Sequence, residues 1–400
     1  MTKGAGDENE IRFRYIDTDP EEFFIDMSKP VNLSAYGEWT KKEGFYELAG
    51  DELKELIFMD KHFGRLRKAK NSDTFLYTIE TFREFPDYYV SDMKFTQPKR
   101  LTDAVPFQSQ YKWGYRILFD FQNSQGIRLQ GTLAVPDGYR QGSKLPMIVN
   151  FYEKKSQELH YYYSPQFLIS YRSGNIGPVS EFGAFVSNDY LVMQLDVHFN
   201  TGTTHDDMLD CVTAAVKKVI EMGYADPDRV ALCGGSFSGG GSAFIATRSD
   251  MFACIASRAA PINLAGEFNI LFSGSGQNNH SYDIYGQGRY GTDPFHDFEL
   301  YRSQSPITHV ENMNTPLLYL HGKQDGSVEY LQGMEFYNAL RFLGKPVIFL
   351  SYPEEGHNLK KLENQVDFTK RLWAFFDHYL KDKPAPDWMI RGIPHLEKKK

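Results

Sequence analysis

A serine on a glycine-rich bend is the strongest chemical signal in this sequence. A short apolar run at 230–233, typical of a buried strand, leads directly into the letters GGSFSGG at 234–240. A serine between such a strand and a helix lies on a sharp turn, and its hydroxyl projects from the carboxyl edge of the sheet. Glycines are needed there because the turn strains the backbone and the helix approaches the strand closely. The stretch therefore predicts a nucleophilic serine.

Two serines compete for the position at the bend. The sequence departs from the G-x-S-x-G pattern, because Ser238 stands two residues after Ser236, where that pattern has glycine. The apolar run ends at Cys233, so Ser236 falls at the bend and is the predicted nucleophile. Ser238 would instead begin a helix predicted over 239–248, where serine is a good cap. The competing interpretation is a glycine-rich turn without chemistry.

Two later loops carry the partners that such a serine needs. Asp325 closely follows one predicted strand, and His357 closely follows the next. An imidazole can take the serine proton, and a carboxylate can hold that imidazole in the required tautomer. Both residues come just past the carboxyl ends of strands, where catalytic groups gather in open α/β sheets, and they follow the nucleophile in the order expected of an α/β-hydrolase. Glu354 and Glu355 remain alternatives for the acid.

An oxyanion hole for this serine needs two donors aimed at the negative charge that develops during acyl transfer. The backbone N–H of Phe237, directly after the nucleophile, is the first predicted donor. The hydroxyl of Tyr152, at the end of the apolar run 147–152, is the predicted second donor. The alternative interpretation of Tyr152 is an ordinary core tyrosine.

The elements that must position these residues alternate between strands and helices from about residue 111 to 382. The apolar runs are nearly continuous, which is typical of strands covered on both faces of a parallel sheet. Helical periodicity lies between them. Eight strands can be counted, of which the first two, within 115–135, form an antiparallel pair. The sequence therefore predicts an α/β-hydrolase fold with a mostly parallel eight-stranded sheet.

The first 110 residues differ in texture from the rest of the chain. Short β-like runs with turn signals between them predict a small antiparallel β region, within which 50–56 could instead be helical. We therefore predict three parts: a β-rich segment at 1–110, an α/β catalytic domain at 111–385 and a C-terminal tail at 386–400. The lysine run at 398–400 is interpreted as a solvated end of that tail.

Composition excludes several classes of protein. The 400-residue chain has a net charge of −8, so we expect no general affinity for nucleic acid or anionic membranes. Its three cysteines, Cys211, Cys233 and Cys254, form neither a disulfide framework nor a metal-ligand spacing. No apolar run approaches the roughly 20 residues that cross a bilayer, and the polar N-terminus is not typical of a signal peptide. A homo-oligomer is compatible with the sequence, which encodes no compartment.

One motif mimics a dinucleotide site. Residues 286–291 have the sequence GQGRYG, which matches G-x-G-x-x-G, but the preceding stretch 277–283 is polar. A dinucleotide fingerprint requires a buried strand before it and a helix after it. The motif is therefore interpreted as a flexible loop over the cleft. Neither a P-loop nor an H-E-x-x-H motif is present, so no cofactor and no metal are expected.

Taken as a set, these motifs resemble the prolyl oligopeptidase family of serine peptidases, including its dipeptidyl peptidase IV branch. The resemblance covers most of residues 100–382. The elbow lies at 226–240 with 247–252, the acid segment at 315–325 and the base segment at 352–357. The segment with the family's oxyanion tyrosine lies at 150–152, and the junction between domains lies at 100–103 with 111–114. The elbow departs from the family at Ser238.

The resemblance implies an N-terminal β-propeller that caps the active site and admits short peptides. Only about 110 residues precede the hydrolase domain, too few for a closed ring of at least about four blades. Residues 10–100 resemble the last blade or two, so we expect a fragment of a longer chain or a reduced cap. By family position, the side chains of Ile262, Val328 and Phe237 line a small apolar pocket that suits proline or alanine; core packing is the alternative.

The leading hypothesis is therefore a serine peptidase that hydrolyses short peptides through an acyl-enzyme. An esterase or deacylase of the same fold is the nearest rival, because fold and triad do not select the acyl substrate. A non-catalytic hydrolase-like binding module is the alternative from a different class. The expected partner is a peptide substrate.

Overall fold

A computed structural model describes residues 2–16, 24–163 and 183–392, and the chain divides into two compact units. The first unit holds the described residues up to Leu118 together with the segment that begins at Ser156. Its helices are α1 Ala5–Asn9 and α2 Val105–Gln108, with a 3₁₀ turn at Ser156–Glu158. Its strands are β1 Ile11–Tyr15, β2 Val31–Gly37, β3 Glu43–Ala49, β4 Glu52–Met59, β5 His62–Lys68, β6 Thr74–Glu80, β7 Asp87–Asp92 and β8 Lys99–Arg100.

These eight strands form two four-stranded sheets in the order β1-β2-β3-β4 and β5-β6-β7-β8. Every neighbouring pair is antiparallel, and within each sheet every strand pairs with the next one along the chain. Aromatic residues supply much of the buried apolar surface, including Phe45, Phe75, Tyr77 and Phe95. The small antiparallel β region predicted for the start of the chain is confirmed.

The helix considered for 50–56 was wrong. These residues enter β4, which forms a hairpin with β3 through the pair Ala49↔Glu52. Gly50 has a φ of 61°, a left-handed value that glycine adopts at little cost, and this turns the chain back after β3. The tight turn therefore overrides the helical tendency of the following residues.

The second unit is the α/β part of the chain. Its strands are β9 Gly114–Gln122, which begins before the unit boundary, β10 Arg128–Pro136, β11 Leu145–Phe151, β12 Leu191–Leu195, β13 Ala225–Gly235, β14 Cys254–Arg258, β15 Leu317–Gly322 and β16 Val347–Tyr352. Its helices are α3 Gly183–Ser187, α4 Thr204–Glu221, α5 Phe237–Ala246, α6 Leu264–Glu267, α7 His280–Ile284, α8 Phe298–Gln304, α9 Tyr330–Phe342, α10 Leu362–Lys381 and α11 Asp387–Ile390.

The strands of this part form one eight-stranded sheet in the order β16-β15-β14-β13-β11-β12-β10-β9. β10 pairs antiparallel with β12, and the neighbouring pairs from β12 through β16 are parallel. The predicted mostly parallel, eight-stranded sheet is therefore confirmed. Because β13 to β16 are parallel neighbours, the loops after them emerge at one edge of the sheet.

Helices cover the sheet through apolar faces. The side chains of Met208, Val212, Ala215 and Val219 recur at helical spacing on α4 and are fully buried. α10 buries a similar stripe and contacts β11, β13 and β14. Burying each of the larger apolar side chains, such as Met208 or Val212, contributes roughly 1.5–3 kcal/mol, so these faces hold the helices against the sheet.

α11 lies within the predicted tail, and the lysine run at 398–400 lies outside the described residues. Cys211, Cys233 and Cys254 are buried free thiols. Across the described ranges, no helix combines the length and apolar character that a membrane crossing requires.

Candidate active site

The bend between β13 and α5 is strained at a single residue. Ser236 has φ 56° and ψ −124°, a combination that is uncommon for a residue with a side chain. Every residue from 230 to 247 is buried except Ser236, which is partly exposed. Its N–H donates to the Arg258 carbonyl at 3.0 Å, and its carbonyl accepts from the Gly240 N–H at 3.0 Å. The bend therefore presents one side chain out of an otherwise buried segment.

Glycines make this bend sterically feasible. A Cβ on Gly234 would lie 2.0 Å from the Ser238 carbonyl oxygen, and a Cβ on Gly239 would lie 2.7 Å from the Arg258 carbonyl oxygen. Both contacts are with backbone atoms, which a side-chain rotation cannot relieve. The helix approaches its own strand and β14 too closely for any other residue at these two positions.

Ser238 has a different place from the one expected. The helix begins at Phe237 and ends at Ala246, two residues earlier at each end than predicted, so Ser238 lies inside the first turn. Its hydroxyl accepts from the Gly235 N–H at 3.0 Å and donates to the Gly235 carbonyl at 3.1 Å, and the residue is fully buried. Ser238 thus stabilises the bend from inside, while Ser236 occupies the N-cap position.

The two later loops bring Asp325 and His357 together. Asp325 follows β15 and His357 follows β16, and hydrogen bonds from the N–H groups of residues 323 and 324 to the carbonyls of 352 and 355 tie the two loops together. The Nδ1 of His357 lies 2.8 Å from Oδ2 and 3.0 Å from Oδ1 of Asp325. This contact orients the imidazole with Nδ1 protonated, which leaves Nε2 as the nitrogen able to accept a proton.

Asp325 is built to remain ionised. Burial by itself raises the pKa of this carboxyl, but hydrogen bonds from His321 and His357 and from the Ser327 N–H hold the pKa well below its usual range. The Val328 N–H donates to Oδ1 as well, at 3.0 Å. Because the folded-state pKa is depressed, the stabilisation from this carboxylate is present above the unfolded-state pKa and is lost as the pH falls through the lowered value.

Sequence reasoning missed a second histidine at this carboxylate. His321, at the end of β15, has no exposed surface, and its Nε2 lies 3.0 Å from the Val328 carbonyl and 3.2 Å from Asp325 Oδ2. The ring thereby ties the strand end to the loop that carries Asp325. Its position just before Gly322 at a strand end was the available signal.

A buried arginine was missed too. β14 ends at Arg258, whose guanidinium is held inside the protein rather than in solvent. Its Nη1 donates to the His357 carbonyl, and its own carbonyl accepts from the Ser236 N–H. Arg258 therefore links the backbone at Ser236 to the backbone at His357.

Tyr152 is the residue predicted as the second oxyanion donor. It directly follows β11, and its ring packs edge-on against that of Phe237 with centroids 5.7 Å apart. Burial raises the pKa of Tyr152, so the hydroxyl stays protonated at neutral pH; the Arg258 charge and the Ser236 side chain lie close enough to offset part of that rise. The hydroxyl donates to Gln287 Oε1 at 3.2 Å.

The three predicted pocket side chains are all buried. Phe237 packs between Tyr152 and Phe199, while the Val328 backbone is tied to Asp325. Ile262 is fully buried in the loop after β14, where its N–H donates to the Gln332 side chain at 3.0 Å.

The alternative acids lie elsewhere. Glu354 is exposed and forms an ion pair with Lys361. Glu355 is buried and accepts hydrogen bonds from the backbone N–H groups of residues 360 and 361 and from the Asn364 side chain. Asp325 is therefore the carboxylate that the structure places on the His357 ring. Among the described residues, no group of three or more His, Cys, Asp and Glu side chains could hold a metal ion.

Two carboxyls outside this arrangement are buried close to each other. Glu267 ends α6 and Asp283 lies on α7, and they are 8% and 4% exposed. Burial raises the pKa of Asp283 to about 7. Burial, followed by the nearby Asp283 charge, raises the pKa of Glu267 well above its usual range. Both groups therefore hold protons that an unfolded chain would release.

Asp283→Asn should stabilise the protein most at alkaline pH. The raised folded-state pKa means that stability is full below the unfolded-state value of about 3.9 and falls as the pH rises through about 7. At pH 8 the raised pKa of Asp283 lowers the free energy of unfolding by on the order of 4 kcal/mol at most, and the substituted amide, which does not ionise, removes this loss. Thermal melts should show a larger gain at pH 8 than at pH 5, with no such difference for the exposed Asp250→Asn. Equal gains at the two pH values would contradict the prediction.

Comparisons with known proteins agree with this architecture. Residues 197–383 match the sequence profile of the prolyl oligopeptidase family. An acylamino-acid-releasing enzyme of Arabidopsis thaliana is 30% identical over 182 residues, which are 44% of this chain and 23% of the relative. An uncharacterized peptidase of Bacillus subtilis is 23% identical over 372 residues, which are 86% of this chain and 53% of the relative. The chain thus spans about half, or less, of these relatives' lengths.

The fold also resembles that of a solved structure. An acylaminoacyl peptidase of Pyrococcus horikoshii matches with a TM-score of 0.72 at 19% identity, over 95% of this chain and 58% of that one. The sheet order and the elbow define the class as an α/β-hydrolase. Within that class, the comparisons support a serine peptidase of the prolyl oligopeptidase type, the family that the motifs resemble.

Proposed function

We propose that the protein hydrolyses short peptides through an acyl-enzyme, with Ser236 as nucleophile, His357 as general base and Asp325 as the orienting acid. The observation that carries the proposal is the hydrogen bond of His357 to the buried carboxylate, at the sheet edge that presents Ser236. We assign this chemistry to a catalytic domain at 111–385, with 1–110 as the end of a β-propeller.

In the first half-reaction, the His357 Nε2 removes the Ser236 hydroxyl proton while Oγ attacks the peptide carbonyl carbon. The carbonyl oxygen becomes an oxyanion, to which the Phe237 N–H and the Tyr152 hydroxyl donate. A helix N-terminus leaves its first N–H groups without partners in the helix, which makes the Phe237 N–H suited to this role. The imidazolium then protonates the leaving amine, and the acyl-enzyme remains.

In the second half-reaction, water replaces the amine. His357 takes a proton from the water as it attacks the acyl-enzyme carbonyl, and the same two donors stabilise the second oxyanion. Collapse returns the proton to Ser236 Oγ and releases the carboxylate product. Asp325 keeps its negative charge throughout and stabilises the imidazolium.

The residue before the cleaved bond is proposed to be small and apolar. We assign this pocket to Ile262, Val328 and Phe237, whose side chains are all apolar. A methylene more or less in such a pocket changes kcat/KM by about 10–200-fold, so size selection should be measurable.

A panel of chromogenic substrates tests the proposal. Amides with alanine or proline before the cleaved bond, with either a free or an acetylated N-terminus, are compared with the arginine amide and with p-nitrophenyl acetate. We expect alanine or proline amides to exceed the arginine amide in kcat/KM by at least about tenfold. Turnover of the ester with none of any amide would replace the peptidase by an esterase, and no turnover at all would favour a binding role.

A further inference from the structure

The loop at 286–291, whose glycine pattern mimics a nucleotide site, holds Tyr152 from two directions. The Gln287 Oε1 accepts the Tyr152 hydroxyl at 3.2 Å. Arg289 Nη2 donates to Glu153 Oε1, in the residue after Tyr152, at 2.5 Å, and Arg289 Nη1 donates to the Gln287 carbonyl at 2.7 Å. The loop therefore contacts both the hydroxyl of Tyr152, the proposed oxyanion donor, and the side chain of the next residue, Glu153.

The glycines of this loop serve close packing on α7. A Cβ on Gly286 would lie 2.9 Å from the Tyr282 Cα, and a Cβ on Gly288 would lie 2.7 Å from the Asp283 Cα. The Gly286 N–H donates to the Ser281 carbonyl at 2.8 Å and the Gly288 N–H to the Tyr282 carbonyl at 2.9 Å. Gln287 is thereby held in a tight turn against the helix.

A second tyrosine shares the same acceptor. Tyr282 on α7 donates its hydroxyl to Gln287 Oε1 at 3.2 Å, so one amide oxygen accepts from two phenols. Burial raises the pKa of Tyr282 well above its usual range, so this phenol remains protonated and able to donate. The amide oxygen therefore keeps a partner whenever Tyr152 leaves it.

We infer that Gln287 is a positioning residue that holds the Tyr152 hydroxyl beside Ser236. During the reaction, the Tyr152 hydroxyl leaves Gln287 and donates its hydrogen bond to the oxyanion instead. A phenol has one proton to donate, so Tyr152 cannot serve Gln287 and an oxyanion fully at once. The Tyr152 hydroxyl donates to the oxyanion in preference to Gln287, because hydrogen bonds to ionised groups are about twice as strong as neutral ones. Tyr282 keeps Gln287 Oε1 satisfied during the exchange, which avoids leaving a buried acceptor unpaired.

This inference rests on the proposed function, and a double-mutant cycle separates the two. Tyr152→Phe removes the donor and should lower kcat/KM by about 10²–10³-fold. Gln287→Leu should lower kcat by about tenfold with KM little changed, because the hydroxyl loses its anchor. In the Tyr152→Phe background, Gln287→Leu should have no further effect. The exposed Gln277→Leu is the matched control from the preceding loop and should match wild type.

A charge substitution supplies the readout that a merely structural role would not move. Gln287→Glu places a carboxylate against the Tyr152 hydroxyl. The carboxylate keeps the hydrogen bond from Tyr152 and its charge repels the oxyanion. The ratio of its kcat to the wild-type kcat should rise as the pH falls and the carboxyl becomes protonated. A ratio independent of pH would contradict the inference, and this near-isosteric variant keeps the test available should Gln287→Leu fail to fold.

The outcomes assign failure to one proposal or the other. Full activity of Tyr152→Phe overturns the oxyanion role of Tyr152, and the inference falls with it. An impaired Tyr152→Phe beside an unimpaired Gln287→Leu overturns the inference alone, as does an effect of Gln287→Leu that persists in the double variant.

Discussion

Ser236→Ala is expected to lower kcat/KM for a peptide amide by roughly 10⁴–10⁶-fold. Without the hydroxyl no acyl-enzyme can form, and the imidazole has no proton to remove. The remaining oxyanion donors would leave a small residual rate. Steady-state assays with an alanine amide measure the loss, and an unchanged circular dichroism spectrum shows that the variant folds.

Ser238→Ala is the matched control, because it removes an equivalent serine hydroxyl two residues after Ser236. The buried Ser238 hydroxyl accepts from the Gly235 N–H and donates to the Gly235 carbonyl. Its loss should therefore lower the free energy of unfolding by about 1 kcal/mol and leave most of the activity. The reverse result, with Ser238→Ala inactive and Ser236→Ala active, would show that the nucleophile has been placed on the wrong serine.

Asp325→Asn is expected to lower kcat by about 10⁴-fold. The carboxylate fixes His357 with Nδ1 protonated through contacts of 2.8 and 3.0 Å, and an amide of the same shape can present its NH₂ group to that nitrogen instead. The imidazole would then carry its proton on Nε2 and could not act as a base. Steady-state kinetics near neutral pH measure the loss.

Two glutamates provide the comparison for Asp325. Glu354→Gln changes an exposed carboxylate that pairs with Lys361 and should leave kcat within about twofold of wild type, because surface ion pairs contribute little. Glu355→Gln should act on stability rather than on catalysis, since its carboxylate accepts from the backbone of the loop after His357. Loss of activity in Glu355→Gln with full activity in Asp325→Asn would reassign the acid.

Much of this arrangement follows from local sequence signals. Apolar runs define where β13, β15 and β16 end, and side chains just beyond those ends must come to one edge of a parallel sheet. The sequence alone therefore predicts that Asp325 and His357 lie close together. The end of the run at Cys233 likewise separated Ser236 from Ser238, whose hydroxyl the structure shows turned inward.

The residues that sequence reasoning missed act through long-range contacts. The fold buries the Arg258 guanidinium against the His357 carbonyl, a contact that the residues around Arg258 do not indicate. His321 was read only as the end of a strand, because nothing local indicates that its ring faces Asp325. Gln287 contacts Tyr152 across 135 positions, and its glycine-flanked motif pointed to a loop rather than to a partner.

Covalent labelling locates the nucleophile most directly. The wild-type protein is treated with a fluorophosphonate, digested, and mapped by mass spectrometry for the phosphonylated peptide. We predict one adduct, on the hydroxyl of Ser236, whose formation slows sharply in His357→Ala and is absent in Ser236→Ala. An adduct on Ser238, or none on a folded protein, would contradict the central claim that this strained serine is the nucleophile.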